Sequence, residues 1–257
     1  MGNHQTNQSA RKSSVVSPAL LFGLLIAGIT LCGLSFFWDQ AVIQWVKTHD
    51  LKTLKDFAGL LSSWGDWPEL MLFGCIGLAS AWWVRDRALS KLLLCMMMAA
   101  TIAGAIVNSV RLVSGRARPN NTEATQEWNG LWRGRKFLLF KNKYHAFPSG
   151  HTGAAFAFFG VPVFARRWYG GWLLLIAVAI GWSRIYLNVH HFSDVTVGAF
   201  VGLVIAYLVW KWGAPRMALV ATWRVLRSIR THGRSWPPQA ATEDPEALQA
   251  VGRSRSS

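Results

Sequence analysis

Charge is what this sequence has least of, and carboxylates are the scarcer kind. Only 15% of the 257 residues are charged, with 12 Asp and Glu against 27 Lys and Arg. No charge occurs from Ser13 to Trp38 or from Leu92 to Val110. Each stretch is long enough to cross roughly 30 Å of hydrocarbon at about 1.5 Å per residue. Shorter uncharged runs follow at Leu70–Val84, Thr152–Ala165, Trp168–Ser183 and Val195–Trp210. Flanking Trp and Tyr residues extend these toward the membrane interface. The pattern predicts an all-α, six-transmembrane-helix bundle; buried helices of a soluble α protein are the alternative.

Cysteine is nearly absent. Cys32, Cys75 and Cys95 all fall inside apolar runs, so nothing points to a disulfide framework or a thiolate metal site, and the three read as small buried hydrophobes. Small residues suited to leader cleavage are also missing after the first run, where SFFWDQ is bulky and aromatic. That run therefore reads as an uncleaved first span. No internal repeat is present.

Six spans put Arg11, Lys12, Arg85, Arg87, Lys91, Arg166, Arg167 and the tail from Lys211 on one side. Short basic loops mark the cytoplasm, so both termini are expected there, in a cell (inner) membrane. Residues 1–12 read as a disordered cytoplasmic N-terminus, 13–212 as the six-span domain and 213–257 as a basic cytoplasmic tail. Within the tail, MALVATWRVLRSIR has the pattern of a helix lying on an anionic leaflet. On the outer side, the spacing of Val42, Trp45, Val46 and Leu51 predicts an amphipathic helix on the membrane surface. The connection from Arg111 to Lys143 keeps eight Lys and Arg outside. Positive charge retained there calls for an anionic ligand.

Three patches fall on that outer side. Arg111 and Arg118 are seven residues apart, nearly two helical turns, so a helix running to Pro119 projects both from one face. Pro148-Ser149-Gly150-His151 precedes the fourth apolar run. A helix starting there offers free N–H groups and the positive end of its dipole to an anion, and Gly150 lets an oxygen come close to the backbone. Ser183-Arg184 ends the fifth run and His190 to Asp194 opens the sixth. Together these supply arginine forks for phosphate oxygens, imidazoles for attack and proton transfer, and a carboxylate to fix a tautomer. That set suits phosphoryl transfer without a metal. His190 and His191 lie four and three residues before Asp194, and spacing alone leaves either in reach of it.

Arg111-x6-Arg118-Pro119, Pro148-Ser149-Gly150-His151 and Ser183-Arg184-x5-His190-x3-Asp194 resemble the three motifs of the type 2 phosphatidic acid phosphatase (PAP2) superfamily. The one departure is Arg111, where that family usually has lysine. The resemblance implies an integral-membrane lipid phosphatase, with the nucleophile at His190, its orienting acid at Asp194 and the general acid at His151. It assigns phosphate binding to Arg111, Arg118, Ser149, Gly150 and Arg184, with no metal and no cofactor. The implied chemistry is hydrolysis of a phosphate monoester or diphosphate headgroup through a phosphohistidine, on the periplasmic or exterior face. A phospholipid, polyprenyl phosphate or lipid A phosphate would serve as substrate.

Other readings stand beside this one. A phosphotransferase could use the same phosphohistidine, and a non-enzymatic protein could bind or move anionic lipid. A haloperoxidase shares the anion site but is soluble. Asp194 could be a helix cap or an ion partner of Arg184. A zinc site built on His, His and Asp is opposed by the arginines around it. His145 and His191 read as interfacial or hydrogen-bonding residues. Arg116, Arg133, Arg135, Lys136, Lys141 and Lys143 read as solvated or bound to lipid headgroups, without nucleic acid. The aromatic and basic connection 120–147 favours a large, multiply charged headgroup. Nothing in the sequence sets an oligomeric state.

Overall fold

The structure is a computed structural model that describes residues 17–214 except 123–126 and 134. The expectations for residues 1–12 and for the amphipathic tail helix lie outside those residues. Helix α1 (Pro18–Ser35) starts with Ser17 as its cap and Pro18 in its first turn. It is apolar on every side and exposes Leu20, Phe22, Leu24 and Leu31 at 55–65% while packing on α8 (Phe192–Leu208). A helix apolar all round and still exposed belongs in lipid.

After a 3₁₀ turn at Phe36–Trp38 come α2 (Asp39–Thr48) and α3 (Lys52–Trp64). The single surface helix expected here is instead two helices docked on the bundle. Helix α2 buries Ile43 and Val46, while α3 buries Ala58 and Ser62 and packs on α7 (Gly170–Tyr186). Of the four residues of the expected apolar face, Trp45 and Leu51 are exposed. The break has a physical cause: the Tyr186 hydroxyl donates to the His49 carbonyl at 2.5 Å and accepts from Leu51 N–H at 3.1 Å. One buried side chain thus satisfies backbone groups on both sides of the interruption.

Helix α4 (Trp67–Trp83) is capped by Asp66, and α5 (Arg87–Ser114) by Asp86, whose carboxylate accepts from Ala88 and Leu89 N–H. Helix α6 (Gly150–Phe164) is the central element, in contact with α4, α5, α7 and α8. Its sequence GHTGAAFAFFGVPVF is rich in small residues, which suits a helix enclosed on all sides. Gly198 and Gly202 on α8 allow the closest approach. A Cβ at Gly198 would lie 2.7 Å from the Ser149 carbonyl oxygen, and one at Gly202 2.5 Å from that of Gly153. Helix α8 continues as a π-helical turn, Val209–Gly213.

Between α5 and α6 a two-residue hairpin, β1 (Trp132–Arg133) and β2 (Lys136–Phe137), pairs antiparallel with Trp132 opposite Phe137. It sits over a small core of Ala117, Leu138 and Tyr144. Among the described residues, Pro18–Thr48, Arg87–Ser114 and Phe192–Gly213 are long and apolar enough to cross a membrane. Helices α6 and α7 are apolar but shorter, at 15 and 17 residues. At about 1.5 Å per residue, a 15-residue helix covers roughly 22 Å of a core about 30 Å thick.

Candidate active site

The three patches meet at one end of the bundle. Arg111 lies in the last turn of α5, which ends at Ser114 because Gly115 takes a left-handed cap at φ 59°. The helix expected to run on to Pro119 is therefore absent. Arg118 stands instead on an extended segment held by the Ala117 N–H to the Glu127 carbonyl at 2.7 Å and the Arg118 N–H to the Lys143 carbonyl at 2.9 Å. A side chain at residue 115 would strike the backbone of Gly130, so glycine sets the stop.

Ser149 caps α6, and its N–H donates to the Asp194 carbonyl at 3.0 Å, joining the second patch to the third. Its hydroxyl accepts from Thr152 Oγ1 at 2.9 Å. Over Gly150 lies the guanidinium of Arg111: a Cβ there would sit 3.2 Å from its Nη1. Arg184 is buried in the last turn of α7 and donates through Nη1 to Ser62 Oγ on α3. The Nε atoms of Arg111, Arg118 and Arg184 are all buried without a hydrogen-bond partner. An unsatisfied buried donor is costly, and a shared anion would satisfy all three.

His190 is almost fully buried in the turn between α7 and α8, and its Nδ1 lies 2.7 Å from the Ala146 carbonyl oxygen. A carbonyl only accepts, so Nδ1 carries the proton and Nε2 keeps the lone pair. Asp194 Oδ2 is 3.5 Å from the same Nδ1 and 3.2 Å from Nδ1 of His191. His191 is the N-cap of α8, with Asp194 Oδ2 accepting its backbone N–H at 2.8 Å. Burial, reinforced by Arg184 and Arg118, outweighs the Asp194 hydrogen bond and leaves the His190 pKa below its ordinary value. His145 is buried beside Arg111 and Arg118, and burial followed by Arg111 lowers its pKa as well. Its Nε2 has no hydrogen-bond partner.

Arg116 is not at the surface as expected; it is fully buried. It pairs with Asp194 Oδ1, with Asp39 Oδ2 at 2.6 Å and with Glu127 Oε1, and donates to Ser193 Oγ at 2.7 Å. The rings of Trp128, Phe36 and Phe147 lie 4.7, 5.3 and 5.9 Å from its Cζ. Burial pulls its pKa down, but Asp194, Asp39 and Glu127 together hold it above the usual arginine value. Asp39 also accepts from Ser193 N–H and Oγ, at 2.8 and 2.6 Å. Sequence reasoning missed Asp39 and Arg116. The available signal was that Asp39 is the first charge after the long apolar run, in a chain with few carboxylates.

A cavity of about 220 Å³ opens beside this cluster, lined by Asp66, Trp67, Asn108, Arg111, Gly150 and His151 among others. Among the described residues no trio of His, Cys, Asp and Glu side chains is placed to share a metal ion. Arginines dominate the site.

The profile of the PAP2 superfamily matches residues 90–218, which contain all three patches. The chain belongs to the PAP2 superfamily. Among curated PAP2-related proteins, it is 25% identical to lipid phosphate phosphatase 1 of Arabidopsis thaliana, over 61% of this chain and 55% of that one. It is 32% identical to a lipid A 4'-phosphatase of Bacteroides thetaiotaomicron, over 44% of this chain and 51% of the other. The chain thus spans about half the length of these relatives. A transmembrane PAP2-type phosphatidylglycerolphosphate phosphatase from Bacillus subtilis shares the fold, with a TM-score of 0.53 and 18% identity, over 79% of this chain and 98% of that one. The apolar helices and this PAP2 fold are those of a membrane protein.

Proposed function

We propose that the protein is a lipid phosphatase that hydrolyses a phosphate monoester or diphosphate headgroup through a phosphohistidine on His190. The observation that carries this reading is the trio of buried, unpartnered guanidinium nitrogens of Arg111, Arg118 and Arg184 around an imidazole whose Nδ1 is tied to a carbonyl. Guanidiniums neutralise the phosphoryl oxygens in the transition state. His190 Nε2 forms the P–N bond as the P–O bond to the lipid breaks, and His151 gives its proton to the departing oxygen. Neutral His151 then takes a proton from water, whose oxygen displaces His190 and releases inorganic phosphate. Ser149 and Gly150 contribute the amide end of α6, and Asp194 holds the ring of His190 in line.

In this reading the chain crosses the membrane six times, with both termini cytoplasmic and the site on the outer face. Two aromatic belts support it: Trp82, Trp83, Trp168 and Trp212 are exposed at one end of the helices, and Trp38, Trp64, Trp67 and Trp132 at the other. Arg85, Arg87, Arg166, Arg167 and Lys211 accompany the first belt. The substrate we infer is a lipid phosphate; the relatives named above act on lipid phosphate and lipid A. The deciding experiment is phosphate release by purified protein from a panel of lipid phosphates, with chelator present. Turnover that persists with chelator and vanishes in His190→Ala supports the reading. Turnover that survives His190→Ala, or that chelation abolishes and added divalent metal restores, overturns it.

A further inference from the structure

His151 is the proton donor of the proposed reaction, yet the three motifs provide no carboxylate for it. The structure does. Asp66 stands at the N-terminus of α4, outside all three motifs, and its two oxygens face different ways. Oδ1 accepts the Trp67 N–H at 2.8 Å and caps the helix, while Oδ2 lies 3.5 Å from His151 Nε2. Both residues line the same cavity as Arg111 and Gly150. The Asp66 side chain is 49% exposed, so its carboxylate is reachable from the cavity rather than committed to the core.

We propose that Asp66 is the positioning carboxylate of His151: it holds the Nε2–H edge of the ring so that Nδ1 presents the proton to the departing oxygen. This rests on the assignment of His190 as nucleophile and His151 as acid. The groups acting on the ring from the packed elements are Arg184 on α7, Asp66 before α4, His190 in the α7–α8 turn and Arg111 on α5. Three of these are cationic or become so, and Asp66 is the carboxylate among them. An imidazolium in that company needs a countercharge, and Asp66 Oδ2 at 3.5 Å is the carboxylate placed to offer one. The nearer contact of Asp66 Oδ2 is the His151 ring, at 3.5 Å, which makes proton transfer the step its charge serves. In the reaction, the proton moves from Nδ1 to the lipid oxygen as the P–O bond breaks, and the Nε2 proton stays with Asp66. Water later returns a proton to Nδ1.

The test separates this role from the helix cap, because asparagine caps as well as aspartate but carries no charge. Asp66→Asn is compared with the wild type on two phosphates bearing the same lipid tail. One has an alkoxide leaving group, which needs a proton; the other has a nitrophenolate leaving group, which leaves without one. Loss of general acid catalysis is expected to slow the alkyl substrate by roughly 10- to 100-fold. The pre-steady-state burst of nitrophenolate should change by no more than about 2-fold, and the melting temperature should hold. His151→Ala should repeat the pattern more severely. Equal slowing of both substrates, or no slowing of either, overturns the role of Asp66. Activity surviving in His190→Ala would instead sink the underlying assignment, so the two failures are distinguishable.

Discussion

Arg116 ties four polar side chains from separate parts of the chain into one buried knot. Its removal strands Asp39 and Asp194 as buried carboxylates, and breaking such a network costs about 3–5 kcal/mol. Arg116→Ala should therefore unfold at a lower temperature in detergent and lose turnover, whereas Arg116→Lys keeps the charge but not the fork and should fall between. A second outcome concerns pH. In the proposed reaction the neutral ring of His190 attacks, and burial together with Arg184 and Arg118 holds its pKa below the usual value. The acid limb of the kcat/KM profile should then fall below about pH 6.5, where an ordinary histidine titrates; a limb above that pH contradicts the burial argument. The motif residues were legible in the sequence because their spacing within each patch is local. Arg116, Asp39 and Asp66 were not, since Arg116 meets Asp39 across 77 positions and Asp39 meets Ser193 across 154. No local pattern encodes such pairings.

Glycines set the geometry of the elements around the site. Alanine at Gly198 or Gly202 would push α8 off the backbone of α6, and overpacking of this kind costs about 1–3 kcal/mol. Both variants should lower the melting temperature. Gly198→Ala should cost more activity, because its added carbon meets the Ser149 carbonyl at the cap of α6. Equal activities at matched stability would remove that distinction. At this scale the apolar helices α1, α5 and α8 and the start of α6 at Gly150 were readable from hydropathy and the PSGH pattern. The end of α5 was not: proline is an obvious stop signal, but the left-handed turn at Gly115 comes four residues earlier and is enforced by Gly130, far along the chain. The split between α2 and α3 was hidden for the same reason, since its cause is Tyr186.

Across the whole molecule, the helices divide their apolar surface between two solvents. Helix α6 is enclosed by protein, whereas α1 presents large side chains outward. The hairpin and the turn after it expose Trp132, Phe137 and Phe140 at 60, 39 and 86%, with ring centroids 4.7 Å apart for Trp132–Phe137 and 6.4 Å for Phe137–Phe140. Arg135, Lys141 and Lys143 flank them, a combination suited to headgroups above and acyl chains below. Replacing Trp132, Arg135, Phe137 and Phe140 by small neutral polar residues should shift relative turnover away from large, multiply charged lipid phosphates and toward small ones. An unchanged ranking in a folded variant would remove the hairpin from headgroup choice.

The position of Asp39 has a consequence for how the protein matures. It is the first residue of α2, one 3₁₀ turn beyond α1, and it grips Arg116, 77 positions on, and Ser193, 154 positions on. Until the opening helix has found its berth beside the last one, Arg116 lacks one of its countercharges and Asp194 is not yet fixed. In the proposed phosphatase, a half-inserted chain would stay silent until α1 and α8 have docked.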